Sequence, residues 1–371
     1  MSPSTESVPA SRIRPVTQAC THFGTNNYGP GVHRRDTRGF VLRSRTAGAR
    51  GRTPPLVVGV IVAVGLVACS SADSKGSSST GNGAGRSAQQ TATGKPTTST
   101  TMAVTTTTLP PPTLPDGTRS VFPEHRVVAY YGGASTPALG VLGHGSPDEA
   151  VQKLQAQAAA YQTPGRPVLL ALELIGTIAD GSPGSDGAYR SRSDPASVQE
   201  YLDAARRAHA LLVIDVQPGQ ANFLDEVRYY EPFLRQPDVG LAMDAEWSMR
   251  PGQVPGQVIG STDAATINSV SDYLDGLVDA GRLPQKLLVV HQFTFDMVQQ
   301  PEQVLGRQQL AVTFHIDGFG GPEVKTEKYA ALHKDPPLFN GFKLFYTQDQ
   351  NMMPPEQVVA LQPAPDLITY Q

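Results

Sequence analysis

Between residues 119 and 371, short β-rich apolar runs alternate with helical patterns, and that rhythm limits the chain to few folds. The runs fall at 126–133, 167–178, 210–217, 239–248, 286–293, 310–319, 341–347 and 366–370. Helical stretches lie between them at 147–161, 197–209, 221–234, 263–280, 294–305, 322–332 and 355–361. Strand–helix alternation of this kind makes parallel βαβ units. Eight such strands in about 250 residues match the usual size of a closed α/β barrel. The expected fold class is therefore α/β, a (β/α)8 TIM-like barrel over 119–371. An open doubly wound sheet is the alternative. It more often carries a Gly-rich first loop, and Gly132-Gly133 does not extend into GxGxxG, so no dinucleotide site is expected.

Alternation within the runs sorts residues between the barrel interior and the helix layer. In 239–248, bulky Leu241 and Met243 share one parity, while Gly240, Ala242, Asp244 and Glu246 share the other. In 310–319, Val312, Phe314 and Ile316 should face the helices, leaving Thr313, His315 and Asp317 inside. In 210–217, Leu212, Ile214 and Val216 face out, while Asp215 and Gln217 face in. Glu173 shares its parity with Ala171. Polar side chains thus gather at the C-terminal ends of the strands, where active sites of this fold lie. His291 and Tyr130 are expected in the same ring, with Lys343 and Tyr346 as further hydrogen-bonding groups.

Asp244 and Glu246 carry the strongest chemical signal. Carboxylates at i and i+2 on a strand share a face, with Cβ atoms roughly 6–7 Å apart. Crowding raises their proton affinity, so one can stay protonated and act as an acid. This Asp-x-Glu on the fourth strand resembles the end of the DxxDxDxE motif of chitinase-type glycoside hydrolases and the DxE of barrel-shaped muramidases. The resemblance covers three residues and implies Glu246 as general acid with Asp244 as its partner. The earlier aspartates of the chitinase pattern are Val239 and Ala242 here, and the first strand lacks the muramidase Asp. Asp215, Gln217, Glu173, His291, His315, Asp317 and Tyr130 are the expected substrate-binding residues, with polysaccharide as the possible partner. The competing reading is a barrel-mouth ion-pair cluster without catalysis, in a glycan-binding or scaffolding protein.

Trp247, the one tryptophan, follows Glu246; alternation turns it towards the helices, which favours core packing over stacking on a sugar. No metal or other cofactor is expected, since HxH on the first strand, HExxH and domain cysteines are all missing. A metal-dependent hydrolase using His291, His315 and Asp317 is the weaker rival. No GxSxG elbow supports a Ser nucleophile. The Gly/Pro/Ser-rich loops 180–195 and 250–261 follow the second and fourth strands and should wall the mouth; 317–321 reads as a flexible turn.

Ahead of the barrel the chain reads as an export leader and a tether. The apolar run 56–68 is shorter than the roughly 20 residues a spanning helix needs, has the length of a signal-peptide core, and follows Arg50 and Arg52. It ends Leu66-Val67-Ala68-Cys69, which resembles the bacterial lipobox. That resemblance implies lipidation of the Cys69 thiol, cleavage after Ala68, and an extracytoplasmic, lipid-anchored location on the cell membrane. The expected division is a disordered extension with leader over 1–68, a Ser/Thr/Pro-rich disordered tether over 69–118, and the barrel over 119–371. Such a tether buries too little apolar surface to offset its ordering entropy. With Lys and Arg at 30 against Asp and Glu at 33, the basic excess of a nucleic-acid binder is lacking. Cys20 and Cys69 are the only cysteines, so no disulfide is expected in the barrel.

Overall fold

The computed structural model describes residues 110–134 and 136–371; the expected leader, Cys69 and all but the end of the expected tether lie outside them. Among the described residues, eight parallel strands close a barrel. They are β1 (Arg126–Gly132), β2 (Val168–Ala179), β3 (Leu211–Val216), β4 (Val239–Asp244), β5 (Lys286–Gln292), β6 (Leu310–Ile316), β7 (Phe339–Leu344) and β8 (Leu367–Tyr370). Strand β1 pairs with both β2 and β8, which leaves no free edge in the ring.

Around it run α1 (Pro147–Ala158), α2 (Pro195–Arg207), α3 (Phe223–Tyr229), α4 (Glu231–Leu234), α5 (Ala264–Gly281), α6 (Pro322–Leu332) and α7 (Pro355–Val359). Their starts are written in local chemistry. Ser146 and Glu149 form a capping box on α1, with Pro147 in the first turn. Asp194, Asn222 and Asp263 accept N–H groups at the starts of α2, α3 and α5. Among the described residues no helix is long and apolar enough to cross a membrane.

Period-two alternation produces two cores. The outer one, between strands and helices, contains Leu212, Ile214, Leu241, Met243, Phe314 and Ile316. The inner one contains Val127, Ala129, Ala171, Val213, Ala242 and Ala311. Full burial of a Val or Leu is worth about 1.5–3 kcal/mol, so both layers contribute. Leu114, Val121 and Phe122 join the inner core, with the Phe122 ring 5.0 Å from Phe339. Packing therefore begins at Leu114, ahead of the boundary at Arg119 that composition suggests.

Three local features depart from the periodic pattern. Segment 294–305 forms no α-helix: it makes single turns at Phe295–Met297 and Pro301–Gln303, and Val298–Gln299 pairs with Thr262–Asp263. Pro301 disfavours the right-handed helical region at the preceding residue, and Gln300 takes a left-handed φ of 55°. Strand β2 bulges between Ile175 and Thr177, and its end pairs antiparallel with Arg190–Arg192, so loop 180–195 is partly a hairpin. Strand β4 stops at Asp244, and Ala245–Trp247 is a single 3-10 turn.

Candidate active site at the barrel mouth

Each barrel strand delivers one polar side chain to a layer at the C-terminal end of the interior. In strand order they are Tyr131, Glu173, Asp215, Asp244, His291, His315, Lys343 and Thr369, all buried. Below them lie small or aliphatic residues of the same parity, among them Ala129, Ala171, Val213, Ala242 and Val289. The small lower layer leaves room for hydrogen-bonding groups above it.

All of these groups except His315 are linked by hydrogen bonds or charge contacts. His291 is held from both sides, Nδ1 lying 2.8 Å from Asp317 Oδ2 and Nε2 lying 3.0 Å from Glu173 Oε1. Thr369 donates to the other Glu173 oxygen at 3.2 Å. Tyr131 donates to Asp215 Oδ2 at 2.9 Å. Gln217 donates to Tyr131 at 3.1 Å and to Asp244 Oδ2 at 3.4 Å. Lys343 sits over the Tyr131 ring, with Nζ 3.6 Å from the centroid and 3.9 Å from Asp317 Oδ2.

Buried charges bonded to one another split the titrations of the site. Burial pushes the Glu173 and Asp317 carboxyls up, but the hydrogen bond and charge of His291 outweigh it and hold both at about 2. Burial pushes His291 down, yet its bonds to Asp317 and Glu173 win and keep it protonated well above its usual range. Asp215 is raised well above the carboxylate range by burial and by the charge of Asp244. Burial raises Asp244 too, partly offset by His291. Glu246 is pushed up to about 8 by burial, then by the charges of Asp244 and Asp317. At neutral pH the site thus holds the ionised Glu173 and Asp317 around the His291 imidazolium, beside Glu246, whose raised carboxyl still carries its proton.

The Glu246 turn is braced by its surroundings. Asp244 Oδ1 accepts the Glu246 N–H at 3.1 Å. Gly260 donates its N–H to the Glu246 carbonyl at 2.6 Å, and Met249 donates to the Gly219 carbonyl at 2.7 Å. A Cβ on Gly260 would lie 2.5 Å from the carbonyl oxygens of Glu246 and Ser248, so only glycine fits there. Loop 250–261 therefore closes against the turn rather than standing free. A polar cleft of about 190 Å³ adjoins it, lined by Asn222, Ser248, Arg250, Ser261 and Thr262 among others. A cleft of about 700 Å³ lies elsewhere, between α6 and α7, and contains none of the mouth residues.

Of the residues expected at the mouth, Asp215, Gln217, Glu173, His291, His315, Asp317 and Asp244 are assembled there, with Glu246 half-buried beside them. Asp244 and Glu246 do not share a strand face, because the strand ends between them. Tyr130 is elsewhere: it packs in the helix-facing core, its ring 6.4 Å from Tyr370 and 6.5 Å from Tyr346. Tyr131 takes the inward place because it shares its parity with Val127 and Ala129. Trp247 is half-buried in the turn and belongs to neither core. The glycine-rich 317–321 segment is pinned by buried Lys325, which donates to Gly318 O at 3.0 Å and Lys343 O at 2.7 Å.

Tyr131 and Thr369 were not expected in the ring. The signal for Tyr131 was Ala129 two residues below it, the same small-then-polar step as Ala171–Glu173 and Ala242–Asp244. No protein-family model matches the chain, and no curated protein matches it as a relative.

Proposed function

We propose that the protein is a lipid-anchored, extracytoplasmic glycoside hydrolase acting on envelope or extracellular polysaccharide, with Glu246 as proton donor and Asp244 as its partner. One observation carries the catalytic part: a half-buried carboxyl beside the barrel mouth, raised to about 8. Such a group is still an acid at neutral pH, which glycosidic cleavage needs. Glu246 gives its proton to the glycosidic oxygen as the bond to the anomeric carbon breaks. The positive charge developing on the sugar is met by the ionised carboxylates of the mouth. Water then adds at the anomeric carbon, and its proton goes to a carboxylate, which restores the balance. The exposed rings of Phe295 and Phe319, on the loops after β5 and β6, offer apolar faces to a sugar on the same side of the barrel. The anchoring part is supported by the sequence Leu66-Val67-Ala68-Cys69 at the end of an apolar run.

A non-catalytic glycan-binding barrel is the second reading, favoured by the burial of Glu173, Asp215 and His291, each at most 1% exposed. The full chain incubated with peptidoglycan, chitin oligomers and α- and β-glucans, with reducing ends assayed, separates the two. Hydrolysis that falls by roughly 100-fold or more in Glu246→Gln supports the acid assignment. Oligosaccharide binding without new reducing ends supports the second reading, and activity untouched in Glu246→Gln overturns the first.

A further inference from the structure

Beside Asp244, in the same layer of the barrel mouth, lies a donor set that hydrogen bonding does not use up. His315 is fully buried, and neither ring nitrogen has a hydrogen-bond partner among the described residues. Asp215 Oδ1 is likewise buried without a partner, 4.0 Å from His291 Nε2. Buried polar groups in folded proteins are nearly always satisfied, so two such groups in one layer, each near His291, call for an explanation. One ligand atom each from Glu173, His291 and His315 lies within 4.8 Å of the other two.

We propose that Glu173, His291 and His315 bind a zinc-type divalent cation at the floor of the barrel mouth, with Asp215 Oδ1 as fourth ligand. Two imidazoles and two carboxylates make the mixed nitrogen–oxygen set that zinc takes tetrahedrally, at about 2.0–2.2 Å per bond. Ligand atoms around such an ion stand ~3.4 Å apart; those of Glu173, His291 and His315 lie within 4.8 Å of one another and Asp215 Oδ1 lies 4.0 Å from His291 Nε2, so the set closes on an ion by moving inward. The ion lies between His291 Nε2 and Glu173 Oε1, taking the place of the proton they now share. Its two positive charges then serve Glu173, Asp215, Asp244 and Asp317 where one proton served before.

The outer contacts are arranged as a metal centre requires. A ligating histidine normally gives its other ring N–H to a carboxylate, and His291 Nδ1 lies 2.8 Å from Asp317. Thr369 occupies Glu173 Oε2 and leaves Oε1 facing His291. Tyr131 occupies Asp215 Oδ2 and leaves Oδ1 unbonded. The His315 ring is pressed into place by β7: a Cβ on Gly341 would lie 2.5 Å from its Cδ2. Each ligand is thus oriented through the atom that the ion does not need.

This inference goes beyond the hydrolase reading and does not rest on it. Its test is metal binding by the full chain after stripping with a chelator, with Co²⁺ as the optical probe. One equivalent should bind with the intense visible absorption of four-coordinate cobalt, Zn²⁺ should displace it, and either ion should raise the melting temperature. His315→Ala should abolish the cobalt band. Asp317→Asn, which keeps every ligand, should weaken Co²⁺ binding roughly 10–100-fold. Folded wild-type protein that shows no cobalt band and retains no zinc would overturn the proposal. A band unchanged in both His315→Ala and Asp317→Asn would do so as well. Glu246→Gln should bind cobalt normally, so the hydrolase reading and the metal site fail separately.

Discussion

Asp244 Oδ1 accepts the backbone N–H of Glu246 at 3.1 Å, so a strand-end aspartate caps the turn that carries the neighbouring acid. The bond fixes the backbone of Glu246 while the Asp244 charge, after burial, raises its carboxyl to about 8. A proton donor with this value is loaded below its pKa and spent above it. Hydrolysis by the full chain should therefore decline as pH rises through about 8. Asp244→Asn removes the like charge but not the burial, so the alkaline limb should move to lower pH. The pH dependence of kcat/KM for the two proteins checks both statements.

Gly260 has no side chain to offer a substrate, yet its place against the Glu246 and Ser248 carbonyls makes it a positioning residue. Gly260→Ala must push the turn aside. A displacement near 1 Å at a reacting group can cost about 100-fold in rate. The expected result is a fall in kcat of that order with KM changed much less, measured by steady-state kinetics.

Gly341 on β7 lies against the ring of His315, its register partner on the neighbouring β6. Gly341→Ala overfills that contact and should destabilise the fold by about 1–3 kcal/mol. Shrinking the opposing ring should relieve the clash, so Gly341→Ala with His315→Ala should cost less than the sum of the single changes. Urea denaturation of the three variants gives the coupling directly.

Glu226 on α3 is buried and receives Arg190 Nε, Arg192 Nε and Arg192 Nη2, each at 2.8 Å. It ties the hairpin extension of β2 to the helix layer. Removing one partner of a buried ion pair costs about 3–5 kcal/mol. Here the arginines left behind are partly exposed, so Glu226→Ala should sit near the lower end, at about 3 kcal/mol. A drop in the urea midpoint at unchanged slope would register it.

The barrel was legible because its strands obey one rule: bulky residues outward, small residues inward, polar residues at the C-terminal end. Leu241 and Met243 against Ala242 and Asp244 show it within a single strand. The rule fails where a side chain replaces a ladder bond, and so Asp244 ends β4 and takes Glu246 off the strand face. It is ambiguous where two similar residues adjoin, as at Tyr130 and Tyr131, until the small Ala129 is used to set the register. Helical periodicity in 294–305 lost to Pro301, which removes a donor and restricts the residue before it. The packing of Leu114 and Phe122 under the barrel is a long-range contact made by residues set among Pro, Thr and Gly, and no local period announces it.

The proposed hydrolysis requires a protonated Glu246 at neutral pH, and that protonation can be measured before any substrate is known. Carbon-13 NMR of the side-chain carboxyls, with the Glu246 signal identified by its loss in E246Q, follows that titration in the full chain. The predicted midpoint is about 8. A midpoint in the ordinary glutamate range, near 4.3, would leave the mouth without its neutral-pH acid and contradict the proposed hydrolysis.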